Sequence, residues 1–248
     1  MKITRGKTVV PRRVMLYGTH GIGKSSWAAQ APDVLFLNLE DGLADIDCAK
    51  TERINEWDQF SEAIVWLAQQ KHDFRTVAID TVDWLETLIH KEVAKQAGKN
   101  SIADIGYGNG YKQANTYWAK MIRGLDWLRI EHGMTIILLA HSEIKKHQDP
   151  LLDSYDRYQP ALHEQASATL QEWCDEVLFA SYRVYTRKED QGFDKKRTIA
   201  SGESERYLRC AETPAALAKN RLNMPGEIEF SWAAYAQHIT GVSSDAKG

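Results

Sequence analysis

Apolar residues recur along this chain with two different periods, and their alternation predicts the architecture. Four short apolar runs contain no polar alternation: Val14-Met15-Leu16-Tyr17, Val34 to Leu39, Thr76 to Ile79 and Ile136 to Ala140. Runs of that kind are strands buried on both faces. Between them the apolar positions fall at helical spacing, as in Trp84, Leu85, Leu88, Ile89 and Val93, with Thr81 placed to cap the start. The pattern predicts strand 14–18, helix 24–31, strand 34–39, helix 58–70, strand 76–80 and helix 82–97. Helix 111–131, strand 135–140, helix 162–172 and a strand-rich region, 176–187 and 197–210, follow. Alternating strands and helices imply an α/β fold of three layers, a mostly parallel central sheet with helices on both faces. The strand-rich region implies an antiparallel extension near the C-terminus.

No linker, repeat or break in composition divides the chain, so residues 1–240 are expected to form one domain and 241–248 a disordered tail. Two segments lack periodicity: 98–110, rich in Gly and Asn, and 142–161. Long irregular segments in a compact domain are commonly functional. The longest apolar stretch, Met134 to Ala140, is far too short to cross a bilayer, and Pro11-Arg12-Arg13 interrupts any signal sequence. Cys48, Cys174 and Cys210 have no metal-ligand spacing and read as thiols of a reducing cytoplasm. The formal net charge is −3, yet no acidic residue precedes Asp33, while Lys2, Arg5, Lys7, Arg12, Arg13 and Lys24 do. A second basic stretch runs from Arg183 to Arg209. Such local concentrations suit contact with phosphate without demanding it.

Chemistry enters at Gly18-Thr19-His20-Gly21-Ile22-Gly23-Lys24-Ser25, a complete GxxxxGK[ST] phosphate-binding loop between a strand and a helix beginning at Ser26. Its glycines let successive N–H groups turn towards phosphate oxygens, Lys24 reaches the β- and γ-phosphates, and the Ser25 hydroxyl is a Mg²⁺ ligand. The strand Thr76-Val77-Ala78-Ile79 ends in Asp80, whose carboxylate would share that Mg²⁺. Hydrolysis also needs a group to orient and deprotonate water. No acid follows Asp80 directly, since the next residue is Thr81. Glu40, at the end of the second strand, fills that role, with Asp41 as the competing choice.

A glutamate ending the second strand, with none beside the magnesium aspartate, resembles the RecA/RadA class and the related ring-shaped replicative helicases. Leu39 to Asp45 resembles their glutamate segment, Ile79-Asp80-Thr81-Val82 their magnesium motif, and Ile136 to His141 the strand ending in a polar γ-phosphate sensor, here His141. Ala218-Lys219-Asn220-Arg221 resembles the Lys-x-Arg segment with which replicative helicases complete a neighbour's active site. That likeness implies Lys219 and Arg221 acting across a subunit interface. The length and the compressed spacing resemble phage-encoded minimal RecA-core proteins, including single-strand-annealing proteins of the Sak-four type. The resemblance implies a RecA-like P-loop ATPase using ATP and Mg²⁺ in phage-type recombination. It also implies a homo-oligomer, ring or filament, acting on single-stranded DNA, with a single-strand-binding protein as a further partner. One departure from the resemblance is expected: no separate N-terminal helix-plus-linker for polymerisation, so filament formation does not carry over with the likeness.

In such an ATPase, single strands would meet the two irregular segments. Tyr107, Tyr111 and Lys112 stand at the first, and Lys145, Lys146, Arg157 and Tyr158 in the second, since aromatic and cationic side chains together suit unpaired bases and their phosphates. Glu143, Asp149, Asp153 and Asp156 keep the second from being net basic. A small-molecule kinase and a helicase loader or nucleotide switch are rival uses of the same loop. All three readings depend on Lys24. Lys24→Ala is expected to abolish nucleotide turnover, and an unchanged phosphate-release rate in that variant overturns the nucleotide assignment.

Overall fold

The computed structural model describes residues 3, 5, 6, 10–148, 153–190 and 196–239. The expected tail at 241–248 lies outside them. A ten-stranded sheet forms the middle layer. Its parallel heart consists of β1 (Arg13–Gly18), β2 (Val34–Asn38), β4 (Thr76–Asp80) and the first half of β5 (Thr135–His147), with β3 (Ala49–Lys50) at one edge. β7 (Glu176–Asp190) lies parallel to β1 on its other side, and β8 (Lys196–Arg209) and β10 (Glu227–Glu229) continue the sheet antiparallel. The order across the sheet is β10-β8-β7-β1-β5-β4-β2-β3. Two short partners complete it: β6 (Tyr155–Pro160) pairs with β5, and β9 (Lys219–Asn220) with β7.

The apolar strand runs are explained by burial on both faces. Met15, Tyr17, Leu35, Leu37, Val77, Ile79, Ile136 and Leu138 face one core, which α2 (Trp57–Gln69), α3 (Val82–Gln96), α4 (Asn109–Glu131) and α5 (Glu164–Trp173) cover. Their alternate neighbours Val14, Leu16, Val34, Phe36, Ala78, Ile137 and Leu139 face a second core. That core is closed by α1 (Lys24–Ala28) and α6 (Trp232–Ile239), through Trp27, Trp232 and Tyr235. Side chains alternate across a strand, so each run feeds both layers. Among the described residues, no helix is long and apolar enough to cross a membrane.

The expected elements agree with the observed ones to within three residues at every end but one. β5 does not stop near residue 140. It continues to His147 and folds back antiparallel with β6, pairing Ser142 with Pro160 and His147 with Tyr155. The segment 142–161 is therefore largely a β-hairpin and not an irregular loop. Its ribbon leaves the covered sheet, and what it does bury on β6 is Arg157, Tyr158 and Pro160 in place of an alternating apolar row, so no period-2 apolar signal marks it. Segment 98–110 does lack regular strand or α-helix until Asn109. It makes two 3₁₀ turns, Ile102–Asp104 and Gly106–Gly108, the first closed by the Ser101 N–H donating to Asp104 Oδ2 at 2.9 Å.

Candidate functional site

Four parallel strands meet at one edge of the sheet, where β1 leads into the phosphate loop and the other three deliver one polar residue each. In the register, Gly18 at the end of β1 lies beside His141 on β5, and Asp80 at the end of β4 lies between Leu139 of β5 and Asn38 of β2. The backbone N–H groups of Leu39 and Glu40 both donate to the Asp80 carbonyl, at 2.9 and 3.1 Å, which carries Glu40 to the same edge. The loop after β1 needs its glycines. A Cβ on Gly18 would stand 2.7 Å from the Ala180 carbonyl, and Gly23, at φ +99°, has the left-handed conformation that starts α1.

Within the loop, Lys24 is buried, and its ammonium donates to the carbonyls of Gly18 and Thr19 at 3.2 and 3.1 Å. Burial lowers its pKa, opposed by the carboxylates of Asp80, Asp83 and Glu40. The Ser25 hydroxyl donates to Asp80 Oδ2 at 2.7 Å. A hydroxyl and a carboxylate side by side form a hard oxygen donor set of the kind Mg²⁺ takes when it also binds phosphates, so these residues fit that ion. Burial raises the Asp80 pKa, while the Ser25 bond lowers it. His20, Gly21, Lys24, Glu40, Asp80 and His141 line a cleft of about 290 Å³ over the loop. Ile22 is buried beneath it, and Ser26 is exposed in the first turn of α1.

His141 is fixed from behind. Asp83, in the first turn of α3, accepts the His141 backbone N–H at 3.0 Å and pairs with its Nδ1 at 2.8 Å. Burial works to raise the Asp83 carboxyl, but these bonds from His141 prevail and hold it below the usual carboxylate range. The other ring nitrogen, Nε2, faces Glu40 Oε2 at 3.6 Å, and the His20 ring stacks on the His141 ring with centroids 3.8 Å apart.

Comparison with known proteins adds a family. The AAA domain family matches residues 10–222. This chain belongs to the AAA domain family. The chain is also 27% identical, over 134 residues, to the SPbeta prophage-derived uncharacterized protein YorG of Bacillus subtilis (strain 168). That match covers 52% of the chain but only 40% of YorG, so it spans well under half the length of this relative. Among solved structures, a crystal structure of the RadB recombinase superposes with a TM-score of 0.50 at 11% identity, covering 91% of this chain and 90% of that one. At that identity the likeness is one of fold. The fold of this AAA domain is RecA-like, a mostly parallel sheet with antiparallel strands towards the C-terminus, and its loop is that of a P-loop ATPase.

The remaining candidate residues of the AAA domain divide. Lys219 and Arg221 lie on and just after β9, level with the start of β1, because Lys219 pairs with Val177 and Val177 with Met15. That is the opposite edge of the sheet, roughly 10–15 Å from the loop of the same chain by strand rise. Lys219 Nζ donates to the carbonyls of Gln171, Glu172 and Cys174 at 2.8, 2.9 and 2.7 Å, closing the C-terminal end of α5. Arg221 pairs with Asp175 at 3.1 Å. Sequence reasoning missed the arginine that does reach the loop: Arg206 on β8 donates to the Ile22 carbonyl at 2.9 Å and lies over the Phe230 ring. Nothing local marks it, since the contact joins residues 184 positions apart. Asp83 was legible, as an acid in the first turn of the helix that follows Asp80.

Of the nucleic-acid candidates, Lys145, Lys146 and Arg157 line a second cleft of about 550 Å³ between the β5–β6 hairpin and α5. Lys145 and Lys146 are exposed, whereas Arg157 is buried and paired with Glu212, and Tyr158 stacks on Phe179. Arg157 and Tyr158 thus pack against the body of the protein, Tyr158 only partly exposed and Arg157 reaching the cleft from a buried position. Tyr107 is fully exposed, Lys112 is exposed one turn into α4, and Tyr111 stacks on His163 with centroids 4.2 Å apart.

His163 precedes α5, and its N–H donates to both oxygens of Glu86 on α3, at 3.1 and 2.9 Å. Burial pushes the Glu86 carboxyl up to about 7, opposed by the His163 N–H and Lys145 and reinforced by Asp83 and Glu143. The folded chain therefore keeps a proton that the unfolded chain, with an ordinary glutamate, releases at lower pH. Stability contributed at Glu86 falls as pH rises from the ordinary glutamate range through about 7, by about 3 kcal/mol at most. Glu86→Gln is expected to remove that slope. Urea midpoints should then fall less between about pH 5 and about pH 8 than in the native chain. Equal slopes in the two proteins would refute it.

Proposed function

We propose that this AAA domain is a Mg²⁺-dependent ATPase that binds single-stranded DNA and works as a homo-oligomer, ring or short filament, in phage-type homologous recombination or single-strand annealing. The observation that carries the reading is the shared edge: the phosphate loop, Asp80, Glu40 and His141 arrive in one cleft from four adjacent strand ends. A glutamate just past the end of β2, in place of an acid beside Asp80, supports the RecA-like class over other uses of the loop. The prophage origin of YorG supports the phage setting. The resemblance to minimal RecA-core proteins of the Sak-four type belongs to the same reading, as does a single-strand-binding protein as partner.

In this mechanism the loop N–H groups and Lys24 hold the β- and γ-phosphates, Lys24 exchanging its two carbonyl partners for phosphate oxygens. Ser25 and Asp80 would hold Mg²⁺, which when bound neutralises charge developing on the phosphoryl oxygens. Glu40 orients the attacking water and takes its proton. His141, held by Asp83, contacts the γ-phosphate, and because it lies on β5 its displacement is passed along the same strand into the hairpin that carries Lys145 and Lys146. Lys145, Lys146, Tyr107 and Lys112 meet the DNA from outside, with Tyr111 behind them. Arg221 is offered to a γ-phosphate bound by the neighbouring subunit, beside the helix end that Lys219 closes.

ATP hydrolysis with and without a single-stranded oligonucleotide tests the DNA reading. The expected outcome is a several-fold stimulation, with Glu40→Gln lowering turnover roughly 10²–10⁴-fold while nucleotide binding persists. A rate indifferent to DNA, together with an unretarded oligonucleotide in a gel shift, overturns the DNA reading and favours the loader, whose hydrolysis answers to a protein partner.

Subunit sharing has its own test. Arg221→Ala should bind nucleotide but hydrolyse it slowly, and mixing it with Asp80→Asn should restore part of the rate, because the second variant supplies the missing guanidinium. No restoration at any mixing ratio argues for a site complete within one chain.

A further inference from the structure

The cleft holds two donor sets of different chemical character. Ser25 and Asp80 present oxygen alone, at 2.7 Å from each other. In the same cleft His20, Glu40 and His141 each offer one ligand atom, and the three atoms lie within 4.8 Å of one another. Two imidazole nitrogens and a carboxylate form the three-ligand set of an open zinc site, with the fourth position free. Oxygen donors select Mg²⁺, whereas imidazole selects zinc and its first-row neighbours.

The arrangement around His141 is the one such a ligand requires. Its Nδ1 is committed to Asp83 Oδ2 at 2.8 Å, and the backbone N–H of His141 holds the other oxygen of that carboxylate at 3.0 Å. This fixes the ring and leaves Nε2 directed at Glu40 Oε2, 3.6 Å away. A carboxylate on the far nitrogen is the common support of a metal-bound histidine, since it sets the tautomer and raises the basicity of the ligating atom. His20 comes from the exposed part of the phosphate loop and is stacked on His141 at 3.8 Å. Metal–ligand bonds of about 2.0–2.2 Å separate two ligands by about 4 Å at most, and an imidazole lone pair lies in the plane of its ring, so the exposed His20 ring must swing out of its stack on His141 to close the triad.

We propose that His20, Glu40 and His141 form a transition-metal site of zinc type in the nucleotide cleft, separate from the Ser25–Asp80 magnesium position, and that filling it stops hydrolysis. The inhibition follows because the metal takes the Glu40 carboxylate and draws His20 across the cleft. That consequence rests on the hydrolytic role proposed for Glu40. The metal site itself does not.

Cobalt(II) titrated into the nucleotide-free protein is the probe, because its visible d–d absorption reports the ligand set. One equivalent should give an absorption of four-coordinate type without a near-ultraviolet thiolate band, and Zn²⁺ should erase it while millimolar Mg²⁺ does not. His20→Ala, on an exposed loop position, should abolish the spectrum. Asp83→Asn should weaken cobalt binding about 10–100-fold, and Asp80→Asn should leave it in place. A spectrum that persists in His20→Ala, a thiolate band, or displacement by Mg²⁺ overturns the site. The second arm compares turnover of Mg-ATP with and without micromolar Zn²⁺ within each protein. Inhibition is expected in the native chain and a much smaller ratio in His20→Ala. Cobalt binding without zinc inhibition upholds the metal site and instead removes the hydrolytic role from Glu40.

Discussion

Because a parallel sheet ends all of its strands at one edge, the register of β1, β5, β4 and β2 decides which side chains meet. Gly18 lies beside His141, and Asp80 lies level with Leu139 and Asn38, only because these strands pair without a bulge. A slip of one residue would turn every side chain to the opposite face. Burial on both faces forbids that slip, since each strand fills two cores at once. The helices therefore do more than cover the sheet: by making both faces apolar they lock the register that assembles the cleft.

Polar groups at that edge are held by a second tier. Asp83 and Glu86 stand three residues apart on α3 and so share a face of the helix. The first holds His141 at the cleft, and the second holds the N–H of His163 where the chain enters α5. One rigid helix thus touches both the nucleotide cleft and the element that lines the second cleft beside the hairpin. In the proposed function this gives the γ-phosphate two physical routes to Lys145 and Lys146, along β5 and through α3. Neither requires a flexible loop.

Much of this was legible in the sequence because burial writes itself into period. The strands of the parallel heart, the four larger helices and the phosphate loop all carry an apolar pattern or a turn chemistry of their own. The hairpin at 142–161 was not legible, because what its second strand buries is Arg157, Tyr158 and Pro160 and not an alternating apolar row. Asp80 and Glu40 could be placed from the strand ends alone. The contact of Arg206 with Ile22 could not, since it depends on β8 returning antiparallel to a loop far away in sequence. Nor could the burial of Arg157, which reads as a surface cation until Glu212 is brought beside it. Residue type announces what a side chain can do, but only packing decides whether it is free to do it.

That distinction bears on Lys219 and Arg221, which look equivalent in sequence. Lys219 gives its ammonium to three carbonyls at the end of α5, and withdrawing it would leave the part-buried carbonyls of Gln171 and Cys174 without that donor. Arg221 gives one nitrogen to Asp175, and its side chain is half exposed. Asp175 does not depend on it, for Arg13 supplies Nη2 at 2.9 Å, Nε at 3.3 Å and its own backbone N–H at 3.1 Å. These bonds hold the Asp175 carboxyl below the usual range in spite of its burial. Releasing Arg221 therefore costs no more than an exposed ion pair, about 1 kcal/mol or less. A γ-phosphate in a neighbouring subunit, with more charge and less water around it, would repay that cost. In the proposed assembly the two cations therefore divide the work: Lys219 fixes the end of α5, and Arg221 is the one that can be released to the neighbour's site.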